Sequence, residues 1–117
     1  RGLLGPDLTH TIAPLWSLPA DFPHAEWGYC MEVLQLLPPE KLMDSLKEIR
    51  RTSDNCFFQI CKWHDKRCGM DVHLSVQEPD WWRERLTLYW PEVEQIPSHE
   101  ISTRLLFVCK GRFHGPA

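Results

Sequence analysis

The sequence predicts an α+β fold: two N-terminal helices packed on one face of a three- to four-stranded antiparallel sheet. Three observations carry this. Apolar residues recur at helical spacing between residues 21 and 51, apolar and polar residues alternate after residue 56, and turn-forming clusters separate the runs. At 117 residues the chain is expected to form one domain over residues 21–117, preceded by an extended leader over residues 1–20.

The leader carries three prolines and two glycines and shows no helical period. Leu3, Leu4, Leu8, Leu15, Trp16 and Leu18 make it too apolar for a free linker. It is expected to lie across the domain or against a partner. A first helix is predicted from Asp21 as N-cap to Leu37, with Pro23 in its first turn and Trp27, Cys30, Met31, Leu34 and Leu37 as its stripe. Pro38-Pro39 ends it, because a residue before proline is pushed out of the α region. Pro39 then opens a second helix over 39–51, with Glu40 at its positive end, Arg50 and Arg51 at its negative end, and Leu42, Met43, Leu46 and Ile49 as its apolar face.

After the turn residues 52–55, the run 56–63 is rich in aromatic and β-compatible residues. Residues 68–76 alternate strictly, with Cys68, Met70, Val72, Leu74 and Val76 on one parity, so the two runs read as a hairpin. Residues 85–90 alternate again and are read as a strand, although the segment Trp81–Leu86 could open a short helix. Pro91 to Glu100 reads as a loop and 103–110 as the last strand.

Composition narrows the function classes. Thirteen basic residues against sixteen acidic ones exclude a strongly basic nucleic-acid binder. No apolar run approaches the ~20 residues that a membrane-spanning helix needs. Five cysteines, an odd number, with no secretory signal in view, favour reduced thiols in an intracellular, reducing compartment. The chain starts at Arg1 rather than methionine, as an excised domain or a processed product would.

Cys56, Cys61, His64 and Cys68 are weak candidates for a zinc site. Their residue types suit tetrahedral zinc, but only Cys61 and His64 have the tight spacing of a ligand pair. Cys56 and Cys61 should also face opposite sides of a strand, being an odd number apart. No cofactor is expected. No phosphate-binding glycine loop is present, and no cysteine–histidine pair is marked by an orienting acid, so a non-catalytic role is expected.

Six tryptophans are the unusual feature. Trp27 falls on a helix stripe and, with Trp63 and Trp90, is expected in the core. Trp16, Trp81 and Trp82 are left without an assigned place, since adjacent rings diverge in either a helix or a strand. Tryptophan and arginine are enriched where one protein grips another. The sequence therefore points to a protein-interaction domain or a subunit of a larger assembly, whether homo- or hetero-oligomeric. Leu15, Trp16 and Leu18 in the leader and Trp81, Trp82, Arg83 and Arg85 at the break before the last strands are the expected contacts, together with an open sheet edge. The alternative is an RNA or single-stranded DNA platform, using the interleaved aromatics and arginines of the C-terminal third. Five basic residues against six acidic ones from Glu78 onward give that platform no net positive field.

Overall fold

The computed structural model describes residues 10–61, 66–67, 70–71, 73–97 and 104–111. Its longer elements are strand β1 (Ala25–Met31), helix α1 (Pro39–Thr52), strand β2 (Ser53–Cys61), helix α2 (Pro79–Leu86) and strands β5 (Glu92–Ile96) and β6 (Arg104–Lys110). A two-residue ladder joins β3 (Lys66–Arg67) to β4 (Met70–Asp71). The four long strands form one sheet in the order β1-β2-β6-β5.

The α+β class is as the sequence predicts, but the sheet is mixed rather than antiparallel. β1 runs parallel to β2, while β6 is antiparallel to both β2 and β5. The first predicted helix is the source of the difference. Residues 25–31 form a strand, followed by a single 3-10 turn over Leu34–Leu36. The apolar spacing there serves both periods: Trp27, Tyr29 and Met31 lie on one face of a strand, and Cys30 turns to the other. Gly28 weakens a helix interior by about 1 kcal/mol, whereas the neighbouring aromatics suit a pleated surface. Gly28 also sits close to α1's exit, where an added Cβ would lie 2.7 Å from Ser53 Oγ. Trp27 is consequently 46 % exposed instead of buried in the core.

The second predicted helix is α1, with Pro39 in its first turn, Glu40 at the start and Arg50 and Arg51 at the end. Its buried face holds Leu42, Ser45, Leu46, Ile49 and Thr52. The buried hydroxyls are satisfied within the helix, Ser45 Oγ donating to Lys41 O and Thr52 Oγ1 to Glu48 O. β2 begins at the next residue, so β1, α1 and β2 make one parallel crossover unit.

The predicted hairpin between 56–63 and 68–76 is replaced by a longer-range pairing. β2 pairs with β6, with Cys56 opposite Cys109 and Phe58 opposite Phe107. Residues 73–78 form no strand; Ser75 is tied to the 3-10 turn, its N–H donating to Gln35 O and its Oγ to Leu37 O. The segment expected as a strand over 85–90 is the end of α2 and a turn, because Pro79 at the first helical position and Asp80 beside it start a helix. β5 occupies the expected loop; with prolines on both sides it is confined to a sheet edge, where a missing donor is tolerated.

One face of the sheet carries the core. Cys30, Cys56, Phe58, Ile60, Leu105, Phe107 and Cys109 point into it and meet Leu42, Leu46 and Ile49 of α1, Trp82 and Leu86 of α2, and Trp90. The Phe58 and Trp90 rings pack edge to face at 5.5 Å, the arrangement their quadrupoles favour. Of the residues read as leader, Leu15 and Trp16 pack against the core, and Glu48 Oε1 accepts a bond from Leu18 N–H at 2.9 Å. No helix among the described residues is long and apolar enough to cross a membrane.

Candidate functional site

In open sheets with parallel strands, ligands bind beyond the strands' carboxyl ends, where loops diverge and backbone groups are left free. Here that end is where β1 finishes at Met31, β2 finishes at Cys61 and the antiparallel β6 begins at Arg104. Met31 is in register with Gln59, and Cys61 with Arg104.

Glu32 follows β1 directly and is held at φ 59°, alone among the described non-glycine residues in having a positive φ. The left-handed region costs an L-residue about 1–2 kcal/mol, so its surroundings must hold it there. They do so through three bonds. Glu32 N–H donates to Gln59 O at 2.7 Å. Glu32 Oε2 accepts from Gln59 Nε2 at 2.7 Å and pairs with Arg104 Nε at 2.5 Å. The pair is partly open to solvent, with the Glu32 side chain 34 % exposed.

Beside the pair lies a buried polar layer. Arg104 Nη1 lies 3.5 Å from Cys61 Sγ as a donor. Cys61 N–H donates to Oε1 of the buried Gln35, and Gln35 O accepts from Ser75 N–H. Three segments distant in sequence, the turn after β1, the end of β2 and the start of β6, thus meet through charged and amide groups at one end of the sheet. A carboxylate, a guanidinium, an amide and a thiol can together bind polar groups of an organic molecule and hold or move a proton.

Of the weak zinc candidates, only Cys56 and Cys61 fall among the described residues. Cys56 lies on the core face in mid-strand and Cys61 at the strand's far end, while His64 and Cys68 lie outside the described residues. Cys30, Cys56 and Cys109 are free thiols on three neighbouring strands. Burial pushes the Cys30 and Cys109 thiols up to about 12 and also raises Cys56, whose two thiol neighbours add to the effect. They are protonated core groups.

The expected contact residues separate. Trp82 is fully buried in α2, its Nε1 without an acceptor among the described residues. Trp81 packs edge to face on Trp82 at 5.0 Å and carries the Arg85 guanidinium 3.9 Å above its ring. Arg83 reaches inward to Gln95 Oε1 and lies over the Phe107 ring. Trp16 is half-buried beneath Lys41, and Leu18 sits against α1. None of them belongs to the Glu32 cluster. Sequence reasoning passed over Glu32 because a left-handed backbone has no composition signal outside glycine, asparagine and aspartate.

No family model matches the chain, and no curated protein matches it. Among solved structures, one described as "A Pericyclic Reaction enzyme" shares the fold at a TM-score of 0.56 and 11 % identity, over 84 % of this chain. The match spans 29 % of that protein, so this chain corresponds to less than a third of its neighbour's length. At that identity the likeness is one of fold alone.

Proposed function

We propose that this chain is the substrate-binding part of an enzyme that acts on a small organic molecule, bound beyond the carboxyl ends of β1 and β2. The observation that carries the reading is Glu32. A charged residue sits in a left-handed conformation at the position where open sheets bind ligands, and it is held there by the neighbouring strands. Strain of this kind is retained where a geometry is needed for function. Support from outside the chain is the printed name of its fold neighbour, an enzyme.

In this reading Arg104 and Gln59 fix one oxygen of Glu32, leaving Oε1 directed to a donor on the ligand. The carboxylate then orients an amine or hydroxyl and can accept its proton. The test is a thermal-shift screen with nucleotides, amines and hydroxylated organic acids as probes, followed by the same probes on Glu32→Ala. A probe that raises the wild-type Tm and loses at least about tenfold in affinity with the variant supports the reading. Equal binding by both proteins, or no shift from any probe, overturns it.

A second reading, a protein-interaction domain or assembly subunit, is favoured by a different observation. The β1 edge of the sheet shows Tyr29 at 82 % exposure beside Trp27 and Met31. In this form the contacts lie on β1 rather than on Trp81 and Trp82. Nucleic-acid binding has no comparable support, since on the outer face Glu92 and Glu94 offset Arg104 and Lys110 and leave no net positive patch among the described residues.

A further inference from the structure

The leader does not lie flat on the domain. Leu15 and Trp16 pack against the core, while the next residues are clamped by polar groups of α1. Leu18 N–H donates to Glu48 Oε1 at 2.9 Å, and Arg51 Nη2 donates to Leu18 O at 3.4 Å and to Pro19 O at 3.3 Å. Arg51 also pairs with Glu48 at 2.9 Å, which closes the clamp. Two turns, Ser17 N–H to Pro14 O and Phe22 N–H to Pro19 O, stiffen the strap, and so do the fixed φ angles of Pro14, Pro19 and Pro23.

Between this strap and the sheet a pocket of about 290 Å³ remains. Leu15, Leu18 and Phe22 line it from the strap and Ile49 from α1, with Cys30 of β1 and Cys56 of β2 on the sheet side. Protein interiors leave few voids larger than a water molecule. Apolar layers close on a space of this size unless something holds them apart, and here the clamped strap does so.

The lining selects the chemistry of an occupant. No charged side chain among the described residues lines the pocket, and burial keeps the Cys30 and Cys56 thiols protonated. A polar corner lies at Gly28, where an added Cβ would sit 2.7 Å from Ser53 Oγ. Glycine leaves that corner free, and the hydroxyl can donate or accept a hydrogen bond there. The volume is roughly double that of a cavity that takes one benzene, about 150 Å³.

We infer that the pocket under the strap is a second binding site, for a neutral, largely apolar organic molecule the size of two fused rings, with one hydroxyl or carbonyl group directed at Ser53. It lies toward the start of β1 and β2, whereas Glu32 follows the end of β1, so it is separate from the site proposed above.

2-Naphthol and naphthalene are the probes, titrated into the wild type and into Ser53→Ala with backbone amide shifts as the readout. The expected perturbations saturate and fall at residues 15–22, 25–30 and 52–56. Ser53→Ala should bind 2-naphthol at least about fivefold more weakly, the net worth of one hydrogen bond, and naphthalene as tightly as the wild type does. Perturbations at residues 32–35 and 104, or ones that spread over the surface without saturating, overturn the inference. So does a 2-naphthol affinity that Ser53→Ala leaves intact.

Discussion

Glu32 holds a conformation that glycine adopts without strain, and that makes its contribution separable. Glu32→Ala removes the carboxylate and keeps the backbone penalty, whereas Glu32→Gly removes both. Glu32→Gly should therefore be the more stable variant by about 1 kcal/mol in urea denaturation, although both lack the Arg104 pair. If alanine proves as stable as glycine, the left-handed backbone is not under strain. The two buried tryptophans offer a second comparison. Trp90 Nε1 donates to Asp54 O at 3.2 Å, while Trp82 Nε1 has no acceptor among the described residues. Trp90→Phe should then cost about 1 kcal/mol more than Trp82→Phe, because it alone removes a hydrogen bond, Asp54 O keeping its other bond from Gly111 N–H. The buried thiols set a pH limit. With Cys30 and Cys109 raised to about 12 and Cys56 raised as well, the unfolded chain ionises its thiols first. Their contribution is complete below about pH 8.5 and declines between there and about pH 12, at up to about 1.4 kcal/mol per pH unit per thiol. Urea midpoints that stay flat over that range would contradict the burial.

At the scale of elements, legibility followed locality. α1 could be read because its signals lie within the segment: Pro39 at the start, a stripe at three and four, and arginines at the end. β6 was equally clear from its run of apolar, β-compatible residues between Arg104 and Lys110. β1 was misread because seven residues with apolar groups at 27, 30 and 31 satisfy both periods, and the deciding contact is with β2, more than twenty residues away. β5 carried a usable signal, the alternation of Glu92 and Glu94 with Val93 and Gln95, but the flanking prolines outweighed it. The Glu32 cluster was not legible at all, since it is assembled from residues 32, 59 and 104 by strand order. Arg50 shows how the elements are tied: its Nε donates to Tyr89 O at 2.8 Å, joining the last turn of α1 to the turn after α2. Arg50→Ala should cost about 1–3 kcal/mol, read as a lower urea midpoint with an unchanged slope. A fully neutral variant would mean that the two helices hold their positions without it.

At the scale of the molecule, the sheet has one finished side and one unfinished side. The core face is packed by two helices, by Trp16 of the leader and by Trp90, and the β5 edge is guarded by charge and proline. The outer face carries no helix among the described residues, and the β1 edge shows Trp27, Tyr29 and Met31. The tryptophan excess that marks the sequence divides along the same line. Trp82 and Trp90 are interior, Trp16 and Trp81 pack partly against the core, Trp27 faces outward, and Trp63, expected in the core, lies outside the described residues.

The central claim is that a small organic ligand binds beyond the carboxyl ends of β1 and β2. Backbone amide chemical shifts, recorded while titrating in the probe that gives the largest thermal shift, test it most directly. The account predicts perturbations at Met31–Gln35, Gln59–Cys61 and Arg104. Perturbations confined to the opposite end of the sheet, at Ser53–Asn55 and Lys110–Gly111, would contradict it.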